Sequence, residues 1–213
     1  MGYAIGRGVR VEIGSVEGSP KTVTAVTAAK PPVATSTAHG LLVKSLGYFA
    51  TATGMPQLEG QACRFSAVTT NDFTLEDLDA TGYGTFTAGS FVPITTWLTV
   101  SSVTDVNKSG GDGNPIETQV LLDTVAQQVN GMLSAESVSF TARTETISSA
   151  AMQKIRDTAK NQGYLVFRIT LADNNVRFFR GQVSLPTEQI GVGAVGQTTF
   201  GATVKGFWCE GAA

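Results

Sequence analysis

The sequence predicts a mainly β protein: an antiparallel β-sandwich or half-barrel with one flanking α-helix, plus an inserted small all-β module. Three observations predict it. Apolar and polar residues alternate through Leu165–Leu171 and again through Phe200–Val204, the period of a half-buried strand. Only Ser149–Gln162 combines a helical apolar stripe with a cap and a stop. From Thr22 to about Thr96, short β-like runs recur between Pro, Gly and Asn/Asp breakers.

Residues 9–13 (Val-Arg-Val-Glu-Ile) alternate and read as a strand, and Gly14 to Lys21 reads as a loop. The next runs are Val23–Thr27, Tyr48–Thr53, Cys63–Val68, Phe73–Leu75 and Gly84–Thr87, broken at Pro31-Pro32, Gly40, Gly54, Asn71-Asp72 and Gly82. The stretch 22–96 holds three basic and five acidic residues, against twelve of each elsewhere. That break in composition marks it as an insert in a core domain made of 1–21 and 97–213. Trp97 to Val106 reads as one strand, with Leu98, Val100 and Val106 on one face and Thr99, Ser101 and Asp105 on the other. Asn107–Pro115 is a flexible breaker. Ile116–Met132 is ambiguous: Val120, Leu121, Val125 and Val129 could form a helical stripe, yet its Thr and Val residues disfavour one. Val138, Phe140 and Ala142 alternate with Ser139 and Thr141, giving a strand. Ser148 or Ser149 caps the helix and Gly163 supplies a left-handed stop. Ala151, Ile155 and Ala159, with Met152, leave a stripe so narrow that the helix must lie on the outside of a sheet. Ala172-Asp-Asn-Asn175 makes a hairpin turn. Thr198–Trp208 is the final strand, with Phe200, Ala202, Val204 and Trp208 on its apolar face.

Composition excludes several function classes. Charged residues make up 15% of the 213-residue chain and the net charge is −2. A nucleic-acid-gripping protein clusters Lys and Arg, and no such cluster exists here. Low charge with abundant Gly, Ser, Thr and Ala suits sheets whose outer faces meet other subunits. No apolar run approaches the ~20 residues of a membrane span. The N-terminus lacks a charged region followed by an apolar one, so no secretory signal is expected. Cys63 and Cys209 are outside any CxxC pair and are expected to be buried free thiols.

Candidate chemistry is thin. Gly191-Val-Gly-Ala-Val-Gly196 matches the dinucleotide pattern GxGxxG, but a strand follows it where a helix N-terminus is required. His39 is the only histidine, set in a Thr-Ala-His-Gly turn, so no triad or metal site can be built around a second one. Glu76, Asp77 and Asp79 lack the ligand spacing of a calcium loop and read as a solvated tip. Asn107-Lys-Ser109 matches a glycosylation sequon but carries no meaning without a secretory signal. Phe178 and Phe179 point to opposite faces of their strand, one into the core and one toward the helix or a neighbour. No enzyme, cofactor or metal is expected.

A resemblance sharpens this reading. A helix ending in Gly (Ser149–Gly163), then the hairpin Tyr164–Leu171 and Phe178-Phe-Arg-Gly-Gln-Val-Ser184, then the Thr-rich strand Thr198–Trp208 resemble the tail tube (major tail) proteins of long-tailed bacteriophages. Leu133–Phe140 before the helix, preceded by a long polar loop, fits the same plan, and the match covers roughly 7–15 and 97–208. Within 22–95, Thr37-Ala-His-Gly-Leu41, Asn71-Asp-Phe-Thr-Leu75 and Asp79-Ala-Thr-Gly-Tyr83 resemble a small barrel of many phage proteins. That barrel is similar to the first-catalytic-cysteine-half domain of ubiquitin-activating enzymes, a likeness of fold alone.

The resemblance implies homohexameric rings stacked into a virion tail tube that conducts DNA from capsid to host, with the insert 22–96 projecting outward. It also implies assembly in the host cytoplasm and tail terminator, tail tip and tape-measure proteins as partners. DNA would pass without specific binding, and no membrane is involved. The inter-ring stacking loop would include Lys108, Asp112, Glu117, Val120, Leu121 and Val125. Candidates for the lumen are Asp105, Glu136, Glu188, Ser139 and Thr141, beside other small polar positions (Thr99, Ser101, Ser137, Gln182, Ser184, Thr199, Thr203). The alternative is a carbohydrate- or receptor-binding β-sandwich module of a phage tail, which would need an aromatic platform or a clustered acid-and-amide site. A hydrolase lacks a base.

Overall fold

The computed structural model describes residues 8–118, 125, 128–145 and 148–212. The first strand, β1 (Arg10–Glu17), outlasts its alternation: past a bulge at Gly14–Val16 it keeps pairing through stretches that sequence reads as loop. It is followed by β2 (Lys21–Val23), β3 (Ala25–Val26), β4 (Val33–Thr35), β5 (Leu46–Thr53), β6 (Ala62–Val68) and β7 (Asp72–Leu75). β4 follows directly on Pro31-Pro32 and escapes sequence reading. Gly84–Thr87, read as a strand, is not one; the strand begins at Ala88 and runs as β8 to Val100.

The expected single strand Trp97–Val106 is two. Ser101-Ser102 makes a tight turn, Ser102 adopting φ 61°, and β9 (Val103–Ser109) leaves in a new direction. The Gly-rich breaker is partly ordered too. β10 (Gly113–Glu117) pairs with β11 (Gln128–Leu133) in a separate two-stranded hairpin, Ile116 facing Val129. Of the expected helical stripe, Val120 and Leu121 lie outside the described residues and Val129 lies in β11.

β12 (Ser137–Arg143) leads to helix α1 (Ala150–Lys160). The Ser149 side chain accepts the Met152 N–H, as expected of a cap. The stop differs from expectation. Gln162 takes the left-handed conformation (φ 51°), while Gly163 donates its N–H to Thr158 O. Gly163 serves close approach instead: a Cβ there would meet Thr158 Cγ2 at 2.8 Å. β13 (Tyr164–Thr170), β14 (Val176–Val183), β15 (Thr187–Gln189) and β16 (Gln197–Gly211) complete the chain.

The main sheet is antiparallel, ordered β3-β4-β7-β6-β5-β8-β1-β13-β14-β16-β12-β9, with β15 beside β16 and β2 beside β8. It is strongly curled. β12 and β13 stand three strand spacings apart, about 14 Å if flat, yet the Phe140 and Phe167 rings stack at 5.3 Å. The curl encloses a core in which Phe140, Phe167, Phe179 and Phe200 stack in near-parallel planes. Ala151, Met152, Ile155 and Ala159 of α1 close one side of it. The result is a mainly β half-barrel with one flanking helix and a small second sheet.

The convex face is covered as well where β13, β14 and the C-terminal half of β16 lie. Val166, on the face opposite Leu165 and Phe167, is buried there with Phe178 and Cys209. They pack against Leu46, Tyr48, Val92 and Ile94. A third cluster, around Phe49, Phe65, Phe73 and Phe91, lies wholly within 22–96. β8 runs unbroken across position 96 and belongs to both regions. Each buried Phe contributes about 1.5–3 kcal/mol by removal from water.

Candidate functional site

Residues directly opposed in an antiparallel ladder share a face. That rule assembles a polar stripe on the convex side of β9, β12 and the first half of β16. Asp105 faces Thr141, Asn107 faces Ser139, and Ser109 faces Ser137 with their hydroxyls 2.9 Å apart. Across the next ladder Thr141 meets Thr199 and Ser137 meets Thr203, which in turn meets Gln182 of β14. The residues are uncharged hydroxyls and amides except for Asp105 and, at the end of β12, exposed Arg143, which faces Gln197. The stripe ends at Arg180 and Lys205. There Arg180 lies over the Tyr48 and Tyr164 rings at 4.1 and 4.7 Å, with Lys205 also over Tyr164.

The five lumen candidates therefore divide. Asp105, Ser139 and Thr141 come together on the stripe. Glu136 belongs to the concave side: it pairs with Lys108 at 2.7 Å and accepts the Trp208 N–H. Glu188, directly opposite buried Thr198, faces α1 and pairs with Arg156. Sequence proximity to a strand does not fix the face, and both carboxylates have structural partners. Thr99 falls outside the stripe too, since it pairs with Glu12 beside Arg168.

The stacking residues also separate. Lys108 sits in β9, held over Trp208 and by Glu136. Asp112 marks the root of the hairpin, where its N–H and that of Gly111 reach Ser134 Oγ. Glu117 and Val125 are exposed on the hairpin side, and Val120 and Leu121 are outside the described residues. Beside them Ile116, Val129, Met132 and Leu133 expose large apolar side chains, Met132 to 88%. Only Gln128-Val129-Asn130 alternates, and so short a run beside Pro115 and a Thr- and Val-rich stretch gives no readable hairpin signal.

At the opposite end of β12, Thr144 N–H bonds Gly196 O, tying in the Gly-rich loop before β16. Leu185, Ile190, Val192 and Val195 of this segment are exposed. A strand follows the loop, so its GxGxxG pattern builds no phosphate cradle.

The acidic trio is not a solvated tip. Glu76 pairs with buried Arg64 and accepts the Ala212 N–H, and Asp77 accepts the Glu210 N–H. Both clasp the end of β16. Asp79, exposed like Asp77, bonds instead within its own turn; hydrogen bonds from Thr81, helped by Lys30, lower its carboxyl pKa to about 2. His39 is a buried turn residue whose Nδ1 accepts the Leu41 N–H and whose ring meets Phe73 edge-on. Burial, with Glu17 as hydrogen-bond acceptor, raises Tyr48 to about 12. Cys63 and Cys209 are both free and buried. Among the described residues no group of three or more His, Cys, Asp or Glu could hold a metal, and no helix is long and apolar enough to cross a membrane.

A family model of the phage tail tube protein, TTP, matches residues 53–205. The chain belongs to the phage tail tube protein family. Its role is structural, in the tail of the virion. No curated protein matches it. One solved structure, described as the tail of an empty GTA particle computed with helical refinement and C6 symmetry, is similar at 12% identity and a TM-score of 0.45. That likeness covers 63% of this chain and 92% of that one. The family span begins within 22–96 and takes in the polar stripe, the hairpin and the Gly-rich loop of this tail tube protein.

Proposed function

We propose that six copies close into a ring with the polar stripe of β9, β12 and β16 lining the lumen, and that rings stack into the tube through which DNA leaves the capsid. The stripe carries the proposal: a hydroxyl-and-amide surface whose two isolated charges, Asp105 and, at the end of β12, Arg143, are of opposite sign. Such a wall offers duplex DNA no cluster of cations to displace its counterions, so the cargo slides. β9 ends the sheet order, and closure against a neighbouring copy would remove that exposed edge.

The segment 22–96 is proposed to form the outward module, with the small-barrel fold its motifs resemble. Support comes from the curl, which turns the convex face under Val166 and Phe178 away from the stripe. The hairpin β10–β11 is the inter-ring element in this proposal. The protein has no catalytic activity. It assembles in the host cytoplasm with tail terminator, tail tip and tape-measure proteins at its ends and along its axis.

Negative-stain microscopy of the purified protein, with thiol labelling of a Ser139→Cys variant, tests this. The expected result is tubes in which a small maleimide reaches position 139 and a bulky polymer-linked maleimide does not. Discrete monomers, or tubes fully open to the bulky reagent at that position, would sink the lumen assignment.

A further inference from the structure

We infer that the Gly-rich segment Leu185–Gly196 is the docking surface for the β10–β11 hairpin of a second copy in the adjacent ring. This rests on the tube reading above and supplies the surface that the hairpin meets. β12 is the ruler. The hairpin root, Ser134–Glu136, enters its first residue, while Gly196 is bonded to Thr144 just past its last. Seven residues of strand separate the two by roughly 20 Å. A copy translated along the strand direction brings the hairpin of one onto the loop of the other.

The chemistry of the two ends matches. Ile116, Val129, Met132 and Leu133 are exposed at one end, and Leu185, Ile190, Val192 and Val195 at the other. Eight large apolar side chains on two small projections exceed the scatter expected of a solvated surface and mark interaction sites. Charge agrees as well. Residues 109–135 hold Asp112, Glu117 and Asp123 with no Lys or Arg. Beside the loop, Arg143 is exposed and makes no ion pair among the described residues, and its strand partner is Gln197. A Cβ placed at Gly193 would meet nothing within 4 Å, so the loop has open space around it to receive a partner. The two patches are different surfaces of one molecule. Their contact is heterologous, the kind that generates an open stack and not a closed dimer.

Two experiments decide it. First, Val192→Asp/Val195→Asp is compared with an excision variant in which Gly110–Ala135 is replaced by a two-residue turn, which the Ser109–Ser137 pairing can accept. Circular dichroism and thermal melts check folding, and sedimentation with microscopy reads polymerisation. The expected result is a folded V192D/V195D protein whose critical concentration for tubes rises about tenfold or more, and a folded excision variant that makes no tubes. Second, separately purified Met132→Cys and Val192→Cys proteins are mixed, polymerised and oxidised. A cross-linked dimer formed only in the mixture, and only under polymerising conditions, is expected. Tubes that form from V192D/V195D at the wild-type concentration, or tubes without the cross-link, overturn the docking surface and leave the tube reading standing. Absence of tubes from the wild-type protein overturns both, and tubes from the excision variant overturn the stacking role of the hairpin itself.

Discussion

Glu136 joins the hairpin root to the last strand: one carboxylate oxygen lies 2.7 Å from Lys108 Nζ and the other accepts the Trp208 N–H. The Lys108 ammonium rests over the Trp208 ring, so three strands meet at one carboxylate. Glu136→Ala should cost about 1–3 kcal/mol, because it strands both a charged donor and a backbone N–H. Lys108→Ala, at a more exposed partner, should cost under about 1 kcal/mol. Urea denaturation of the two variants reads the difference. Equal losses would show that the ion pair, and not the bond to Trp208, carries the contact.

Phe178 and Phe179 are adjacent and both fully buried, on opposite faces of β14. Each Phe→Ala change should destabilise by about 3–5 kcal/mol. Phe178→Ala should act on the junction with 22–96 and make limited proteolysis within that segment faster. Phe179→Ala should loosen the half-barrel itself. A Phe178→Ala variant as stable as wild type would mean that the convex face is not packed in solution.

Excising 24–87 should not leave a well-behaved protein unaided, because Val166, Phe178 and Cys209 would lose their cover. Excision combined with Val166→Thr and Phe178→Thr should restore solubility and still give tubes, if the segment is an outward decoration. Tubes lost from a folded excision variant, judged by its melting transition, would place the segment within the ring.

Stability should fall in alkali. Burial raises Cys63 well above its ordinary value of 9.0, with Cys209 beside it adding to the shift, and burial likewise raises Cys209 to about 12. The unfolded chain ionises near 9, whereas the folded chain holds its protons. Stability is therefore full below about pH 9 and is lost as pH rises toward 12, by up to ~1.4 kcal/mol per pH unit per thiol. Melting temperature against pH, in wild type and in Cys209→Ala, measures it. An identical slope in both would remove this thiol from the account.

Assembled tubes should bind duplex DNA negligibly at physiological salt, because the stripe carries the Asp105 carboxylate and a single isolated cation, Arg143, far short of the several that displace counterions. Fluorescence anisotropy gives the affinity. Micromolar binding with a steep salt dependence would overturn the passive-wall reading.

Strands buried on one face were legible because alternation survives in them: Leu165, Phe167 and Ile169, or Val138, Phe140 and Ala142, needed nothing beyond the sequence. Strands ending in tight turns were less so. Ser102 reverses the chain without glycine, and Gln162 does the same after the helix. Faces could not be read for residues at strand ends. Glu136 and Glu188 border the strands of the polar stripe yet lie off its face, Glu136 toward Trp208 and Glu188 toward α1, since the face taken at a strand's end depends on the bulges and turns beside it. The clasp of Glu76 and Asp77 on β16 joins residues more than 130 positions apart, and only the folded topology makes such a pairing visible.

The placement of the hairpin and the Gly-rich loop at opposite ends of β12 also gives any linear stack of this protein a direction. One terminus would always present carboxylate-bearing apolar fingers and the other a glycine-lined socket beside Arg143. A plug shaped for the first cannot seat on the second. Growth could then be started at one terminus and halted at the other by two unrelated caps, with no mark on the tube beyond the asymmetry of a single subunit.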